Sequence, residues 1–314
     1  MNEIGGYMEL EYYHLPMLHE AAIALNCGRN CLAYLLEARK ISKIALPYFL
    51  CDAVRNVCYL YGVEVRYYHI TEEFIPEYIV LEPGEWIYVV NYYGQLTTQQ
   101  LMLLSDQYEH IIVDQAHAYF MPPVIGADTL YTCRKFFGVP DGAFLYTDSF
   151  LNRELAVDKS FERMKVLLGR FEESASEFYK EYVNNEQHFD SEPVKQMSKL
   201  TNNLLHSIDY TEVKRQRSEN YAYLAEKLGT LNSLTLRNVQ GAYAYPLLLQ
   251  NASVIRERLI KEKVYIPILW PNVLKDSAGN TLEYHLAKNI LPLPCDQRYD
   301  KKDMDYFIRL LLSD

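Results

Sequence analysis

Residues 110–117 read HIIVDQAH, and this stretch indicates the fold. The apolar run at 111–113 is typical of a strand buried on both faces, as parallel strands covered by helices are. The strand ends on an acid, Asp114. Because ligands in parallel-sheet folds bind beyond the carboxyl ends of strands, Asp114 is expected to face a ligand crevice. An Asp that caps a following helix explains these residues equally well.

The segments around this strand alternate between helical and extended patterns. Helical patterns cover residues 29–40, 51–61 and 97–108, and extended patterns cover residues 43–46, 63–70, 86–94, 110–114 and 142–148. This alternation predicts an α/β fold with a mainly parallel mixed sheet flanked by helices.

The second half of the chain has a different pattern. Residues 150–235 read as helices only. A compact α+β segment follows, with strands at 242–249 and 264–270, a helix at 254–263 and a final helix at 301–312. We therefore expect a large cofactor-binding α/β domain over residues 1–165, connecting helices over 166–235 and a small α+β domain over 236–314.

Composition excludes several classes of protein. The chain has 314 residues, with 31 Lys and Arg against 41 Asp and Glu, so its net charge of −10 argues against nucleic-acid binding and against a polybasic membrane surface. It has no apolar run long enough to span a bilayer and no signal-peptide pattern at its start, so we expect a cytoplasmic protein. Its six cysteines form no CxxC pair, and we predict neither a metal site nor disulfides.

Two further segments carry candidate chemistry. Gly28-Arg29-Asn30 begins a predicted helix, where free amides and the positive end of the helix dipole favour phosphate; an ordinary turn is the alternative. Arg134 and Lys135 precede apolar residues and a Gly/Pro-rich turn. Partial burial would lower the pKa of Lys135 and free its amine for attack on an aldehyde, whereas a solvated surface lysine is the simpler explanation for this residue alone.

Together the three segments match the needs of one cofactor. Pyridoxal phosphate requires amides and a cation for its phosphate, a carboxylate for its ring nitrogen and an amine for its aldehyde. The chain supplies these groups in that order, from Gly28 through Asp114 to Lys135, on an α/β framework.

With these residues, the chain resembles the fold-type I pyridoxal-phosphate enzymes, and among them the DegT-type sugar aminotransferases. The Asp-x-Ala-His stretch of that family is matched by Asp114, Ala116 and His117. The family's Schiff-base lysine is followed at six and seven positions by an acid and a Gly, here Asp141 and Gly142 after Lys135. The C-terminal residues 245–304 resemble the family's small domain.

The resemblance implies a role for each matched residue. Lys135 and Asp114 are the expected catalytic residues. The expected cofactor-binding residues are Gly28, Arg29, Asn30, Cys51, Asp114, His117, Thr132, Arg134 and Lys135, with Cys51 at the ring-covering position and Thr132 near the phosphate. Only 21 positions separate Asp114 from Lys135, so a loop is shorter than in the family. The family's Gly-Tyr-Asn-x-Arg segment, which completes a neighbouring subunit's site, has no clear match.

The implied function is transfer of an amino group, with glutamate as donor, to a nucleotide-linked keto-sugar in surface-polysaccharide or related biosynthesis. Lys135 favours transamination over the family's dehydratase branch, which has His there. A homodimer is implied, with the helices at 150–235 as candidate contacts. Two alternatives remain: a catalytically degenerate relative that binds a ligand or partner, and a pyridoxal-phosphate enzyme acting on a small amino acid.

Overall fold

A seven-stranded mixed sheet forms the centre of the structure, a computed structural model that describes residues 4–313. Its strands are β1 (Ile23–Leu25), β2 (Lys43–Pro47), β3 (Glu64–Tyr68), β4 (Trp86–Val90), β5 (Ile111–Asp114), β6 (Asp128–Thr132) and β7 (Ala143–Tyr146). Their order across the sheet is β1-β7-β6-β5-β4-β2-β3. The strands from β6 to β3 are parallel, and β7 is antiparallel to both β6 and β1. The predicted mainly parallel mixed sheet is confirmed.

Helices follow the strands as the sequence periodicity predicts. The first three are α1 (Gly28–Ala38), α2 (Asp52–Leu60) and α3 (Thr98–Gln107). Leu32, Leu35 and Leu36, the predicted apolar face of α1, are all buried. Thr97 and Gln100 form a capping box that starts α3. Four helices lie in the middle of the chain: α4 (Lys165–Glu172), α5 (Tyr179–His188), α6 (Lys199–Leu205) and α7 (Tyr210–Leu228).

A second, two-stranded sheet lies in the C-terminal part. Strand β8 (Ala244–Leu248) pairs antiparallel with β9 (Ile290–Pro294), and the helices around them are α8 (Ala252–Lys261), α9 (Val273–Asp276), α10 (Leu282–Asn289) and α11 (Lys301–Leu312). Strands β8 and β9 and helices α8 and α11 share an apolar core with α7, whereas the buried apolar residues of α9 and α10 pack with the core of the large sheet. The domain boundaries drawn from the sequence remain predictions. Among residues 4–313, no helix is both long and apolar enough to cross a membrane.

Three features of the structure differ from the sequence prediction. Strands β1 and β6 were not predicted, because β1 has only three residues and β6, with the sequence DTLYT, lacks an apolar run. The strand predicted at 264–270 is wrong: this segment is irregular, and Pro267 within it has no amide hydrogen to donate to a neighbouring strand. Residues 150–160, predicted as helical, are also irregular.

The register of the central strands positions the site. Asp114 at the end of β5 lies opposite Val90 of β4 and Leu130 of β6. Strand β6 ends at Thr132, three residues before Lys135. The carboxyl ends of β4, β5 and β6 therefore bring the segments that follow them to one edge of the sheet.

Candidate active site

Lys135 lies in the turn that joins β6 to β7. Its side chain is exposed to solvent, although protein surrounds it from most directions. This incomplete desolvation lowers the pKa of Lys135, while the negative charge of Asp114 opposes the change. An amine that is both reachable and poorly solvated is the combination expected of a lysine on the floor of an open cleft. The simpler explanation, a lysine in bulk solvent, does not describe this residue.

Asp114 is buried and already holds two hydrogen bonds. One carboxylate oxygen accepts from the Tyr88 hydroxyl at 2.8 Å, and the other accepts from the Ala116 amide at 2.7 Å. Burial raises the pKa of Asp114, and the charge of Lys135 acts in the opposite direction. Because each carboxylate oxygen can accept more than one hydrogen bond, Asp114 can still bind a further donor. The bond to Ala116 closes a tight turn, so Asp114 does not cap a helix.

His117 links these two residues to the rest of the cleft. Its Nε2 lies 2.9 Å from the Lys135 Nζ, and its Nδ1 accepts a hydrogen bond from the Tyr93 amide at 3.3 Å. The Tyr243 ring stacks on the imidazole with centroids 4.4 Å apart, and Trp270 lies 5.8 Å away. His117 is therefore held on three sides, and the C-terminal part of the chain contributes to the cleft.

The amino end of α1 lies close to this turn. A Cβ built on Gly28 would lie 4.0 Å from the Thr132 Cβ, so the start of the helix faces the end of β6. In the described part of the chain, no side chain caps this helix, whose N-cap is Cys27. Uncapped amides at the positive end of an 11-residue helix make a suitable position for an anion.

Two arginines flank this helix end, and both pair with Glu186 of α5. Arg134 forms an ion pair with one Glu186 oxygen, and the Arg29 Nη2 lies 3.7 Å from the other. Arg29 also pairs with Asp190 at 3.4 Å. Burial lowers the pKa of Arg134 to about 10, and its guanidinium lies 4.8 Å from the centre of the Phe189 ring. We name the amino end of α1 together with Arg29 and Arg134 the anion seat; in this structure a carboxylate of the chain itself lies between its two cations.

Two other predicted residues have different surroundings. The Asn30 side chain is turned into the protein, where it donates to Asn26 at 2.7 Å and to the Pro193 carbonyl at 2.9 Å. Its backbone amide donates to the Cys27 carbonyl at 3.1 Å, so the donors of Asn30 are all used within the chain. Cys51 is half-buried at the start of α2 and lies near enough to Lys135 to influence its pKa.

The aromatic side chains before Cys51 pack against other aromatic rings. Tyr48 stacks on Tyr67 with centroids 5.1 Å apart, and Phe49 is fully buried with its ring 4.2 Å from that of Trp270. Cys51 is therefore the residue of this segment that lies near Lys135.

The turn after Lys135 is fixed by its acid and its glycine. Asp141 is fully buried and accepts hydrogen bonds from the Ser198 amide and hydroxyl, which places it under the start of α6. Gly142 has φ of 110°, and a Cβ there would lie 2.9 Å from Thr201. The matched Asp-Gly pair thus shapes the loop and does not face the cleft.

Sequence reasoning missed three residues that contact the site. Tyr93 and Tyr243 hold His117, but with 28 tyrosines in the chain no single one is informative. Arg217 of α7 is buried and donates to the carbonyl of Phe136, directly after Lys135, at 3.0 Å. Its partners are distant in sequence, so no local pattern identifies it. No cluster of His, Cys, Asp and Glu suited to a metal ion occurs in the described residues.

No family model and no curated protein matches the sequence. Solved structures do match, at low sequence identity. The sugar aminotransferase CalS13 from Micromonospora echinospora is 13% identical, with a TM-score of 0.61 over 92% of this chain and 86% of that one. A DegT DnrJ EryC1 StrS aminotransferase from Brucella abortus is 16% identical, with a TM-score of 0.60 over 92% and 84%.

A third similar structure is NtdA from Bacillus subtilis with the bound cofactor PMP. It is 15% identical, with a TM-score of 0.64 over 92% of this chain and 72% of that chain. At these identities the likeness concerns the path of the chain and not its chemistry. The sequence resemblance to the DegT-type aminotransferases is thereby confirmed at the level of the fold.

Proposed function

We propose that the chain is a pyridoxal-phosphate-dependent aminotransferase that acts on sugars. The convergence of Lys135, Asp114 and the anion seat at one edge of the sheet carries this proposal. The sugar aminotransferase and the PMP-containing protein of the same fold support it.

The residues present fit the cofactor. Lys135 offers a reachable amine for its aldehyde, and Asp114 keeps free acceptor capacity for its ring nitrogen. The uncapped α1 amides, Thr132 and Arg134 would hold the phosphate, and Cys51 would lie against the ring. When bound, the cofactor supplies a carbonyl that takes up amino groups and a ring that delocalises negative charge.

The residues of the chain would then move and hold protons. The Lys135 Nζ would act as a general base that takes the proton from the α-carbon of the donor, and then as a general acid that delivers it to the carbon of the former aldehyde group. The Asp114 carboxylate would keep a proton on the ring nitrogen through a charge-assisted hydrogen bond, worth about 1.5–3 kcal/mol in ordinary settings. Tyr88 and the Ala116 amide would hold that carboxylate in place.

The finer assignment follows the family resemblance. The acceptor would be a nucleotide-linked keto-sugar, the donor glutamate, and the pathway surface-polysaccharide or related biosynthesis in the cytoplasm. The working form would be a homodimer, with helices α4–α7 as candidate contacts. Lys135, in place of the dehydratase branch's His, favours transamination.

Borohydride trapping tests the assignment of the lysine. Purified protein mixed with pyridoxal phosphate should be fixed covalently by borohydride, and peptide mapping should place the modification on Lys135. Lys135→Ala should abolish the adduct. Lys165→Ala is the matched control, because Lys165 is an exposed lysine on α4 that pairs with Glu181. An adduct at the wild-type level in Lys135→Ala would rule out this site.

A ligand-binding protein without turnover is the second candidate. The carboxylate of Glu186 between the arginines of the anion seat favours it, since it would weaken phosphate binding. Amino donors distinguish the two candidates: a transaminase converts added pyridoxal phosphate to the pyridoxamine form with at least one donor, whereas a binding protein does so with none. A screen of keto-sugar and keto-acid acceptors then separates a sugar enzyme from one that acts on small amino acids.

A further inference from the structure

We propose that His117 is a positioning residue that is fixed as one tautomer and, as a hydrogen-bond donor, holds the Lys135 amine in its neutral form. The inference rests on the proposed function only for what the neutral amine would do, which is to attack a carbonyl carbon. The hydrogen-bonding argument itself concerns only residues of this chain.

The first step is the bond from the Tyr93 amide to His117. The amide nitrogen lies 3.3 Å from Nδ1, and a backbone N–H can only donate. The Nδ1 atom must therefore carry a lone pair and no proton. Tyr93 cannot easily turn its amide away, because its side chain is buried and its φ is 53°, in a turn closed by the hydrogen bond from the Gly94 amide to the Asn91 carbonyl.

The second step fixes the other ring nitrogen. A neutral imidazole with a lone pair on Nδ1 carries its proton on Nε2. That Nε2 lies 2.9 Å from the Lys135 Nζ, so its N–H points at the amine. An ammonium group has three donors and no acceptor, whereas a neutral amine has a lone pair that can accept. The geometry therefore matches neutral Lys135.

The alternative arrangements bring two donors together. If an ammonium at Lys135 donated to Nε2, a neutral His117 would carry its proton on Nδ1, opposite the Tyr93 N–H. A doubly protonated His117 would have the same conflict at Nδ1, and beside an ammonium it would also place two donors between Nε2 and Lys135. Both arrangements lose the buried hydrogen bond from the Tyr93 amide to Nδ1, which is costly.

The groups around His117 and Lys135 have opposing effects on the charge of Lys135. Asp114 on β5 and the Tyr243 ring face, 5.4 Å from the Lys135 Nζ, favour the ammonium, whereas Arg134 opposes it. Cys51 at the start of α2 would favour the ammonium only as a thiolate. Arg256 of α8 lies near enough to Tyr93 to lower the pKa of that phenol, against the larger effect of burial. Burial lowers the pKa of His117 well below its ordinary value, and the incomplete desolvation of Lys135 lowers its pKa too, so both shifts disfavour the charged forms.

Nitrogen-15 NMR of the histidine-labelled, cofactor-free protein tests the tautomer directly. At pH 7, Nε2 of His117 should be protonated and Nδ1 unprotonated, as read from their shifts and from their couplings to the ring protons. A proton on Nδ1, alone or on both nitrogens, would overturn the proposal. This measurement uses the wild-type chain, so it does not depend on a variant that folds.

Competitive acetylation across pH, read by mass spectrometry, tests the effect on Lys135. His117→Asn keeps an acceptor for Tyr93 but cannot reach the lysine, and it should raise the apparent pKa of Lys135 by about one unit, or about tenfold less free amine at neutral pH. His117→Gln can still place a donor at the amine and should stay near wild type. Lys261, exposed on α8, is the internal reference.

An unchanged Lys135 titration in His117→Asn would refute the donor role. Equal shifts in the Asn and Gln variants would also refute it, since they would indicate a general loss of packing. The borohydride adduct with pyridoxal phosphate is a separate measurement. Its absence from the wild type would refute the proposed function and leave the tautomer result standing.

Discussion

Replacing Glu186 by Gln should strengthen the binding of a phosphate-bearing ligand. The Glu186 carboxylate contacts Arg134 and lies 3.7 Å from Arg29, between the two cations of the anion seat. A phosphate that binds there must displace this carboxylate. The Gln variant keeps the shape of the side chain and removes the competing charge, so the arginines become available at lower cost.

The size of the effect follows from exposure. The Glu186 side chain is 34% exposed and that of Arg29 is 19% exposed, so solvent screens much of the attraction. Ion pairs of this kind contribute about 1 kcal/mol or less, and about 1 kcal/mol corresponds to about fivefold in a dissociation constant. The gain should shrink as salt is added, because salt screens charges that water reaches.

The assay should separate phosphate binding from reaction with the lysine. Pyridoxine 5′-phosphate carries the ring and the phosphate but no aldehyde, so its titration by fluorescence reports on the seat alone. Glu181→Gln is the matched control, because Glu181 lies on the same helix and pairs with Lys165. Equal or weaker binding by Glu186→Gln would show that Glu186 holds Arg134 in place and does not compete with the ligand.

Three further substitutions test the framework of the site. Gly142→Ala should lower the free energy of unfolding by about 3 kcal/mol in denaturant melts, because the φ of Gly142 is 110° and a Cβ there would lie 2.9 Å from Thr201. The control Gly62→Ala should lower it by only about 1 kcal/mol, because Gly62 also has a positive φ but has open space around it. Burial raises the pKa of Asp158, but the hydrogen bond and charge of Arg163, together with hydrogen bonds from Asn26 and the Lys159 amide, outweigh this and lower the pKa below its ordinary value. The stability that Asp158 adds should therefore be present at neutral pH and be lost as pH falls below about 4, so the gap between wild type and Asp158→Asn should narrow there. Arg217→Met should cost about 3 kcal/mol in the same melts, because the buried Ala242 carbonyl loses its nitrogen donor and the Phe136 carbonyl keeps only the bond from Gln297. Arg217→Lys should recover only part of this loss.

Local sequence patterns predicted those elements whose burial follows a single period. The leucines of α1 and the apolar run of β5 carry their own signal, and the final helix, α11, has the predicted bounds. The strand predicted at 264–270 is wrong because tertiary packing, and not strand pairing, buries this apolar segment. Ile266 and Trp270 are buried, but Trp270 packs on Phe49 instead of joining a sheet. Hydrophobic content predicts burial there, whereas hydrogen-bond partners decide the secondary structure.

The residues of the candidate site also differ in whether local sequence patterns could identify them. Asp114 and Lys135 can be proposed from the sequence because each has a chemical type suited to the proposed role and a marked local context, a strand end or a glycine turn. The orientation of His117 could not, since it depends on the Tyr93 amide 24 residues earlier. The ion pairs of Arg29 and Arg134 could not be predicted either, because the acid that pairs with both, Glu186, lies on α5, more than 50 residues from Arg134 in sequence.

The register of the sheet explains why Asp114 and Lys135 lie near each other although the connection between them is short. Asp114 is directly opposite Leu130 across parallel strands, and only five residues lead from Leu130 to Lys135. The separation of acid and amine therefore depends on the β5–β6 register and on the turn after β6. Extra residues in a longer relative can be accommodated at 122–126, where Ile125 is 80% exposed, without moving either group. A one-residue shift of β5 against β6 would instead turn Asp114 to the opposite face of the sheet, away from Lys135.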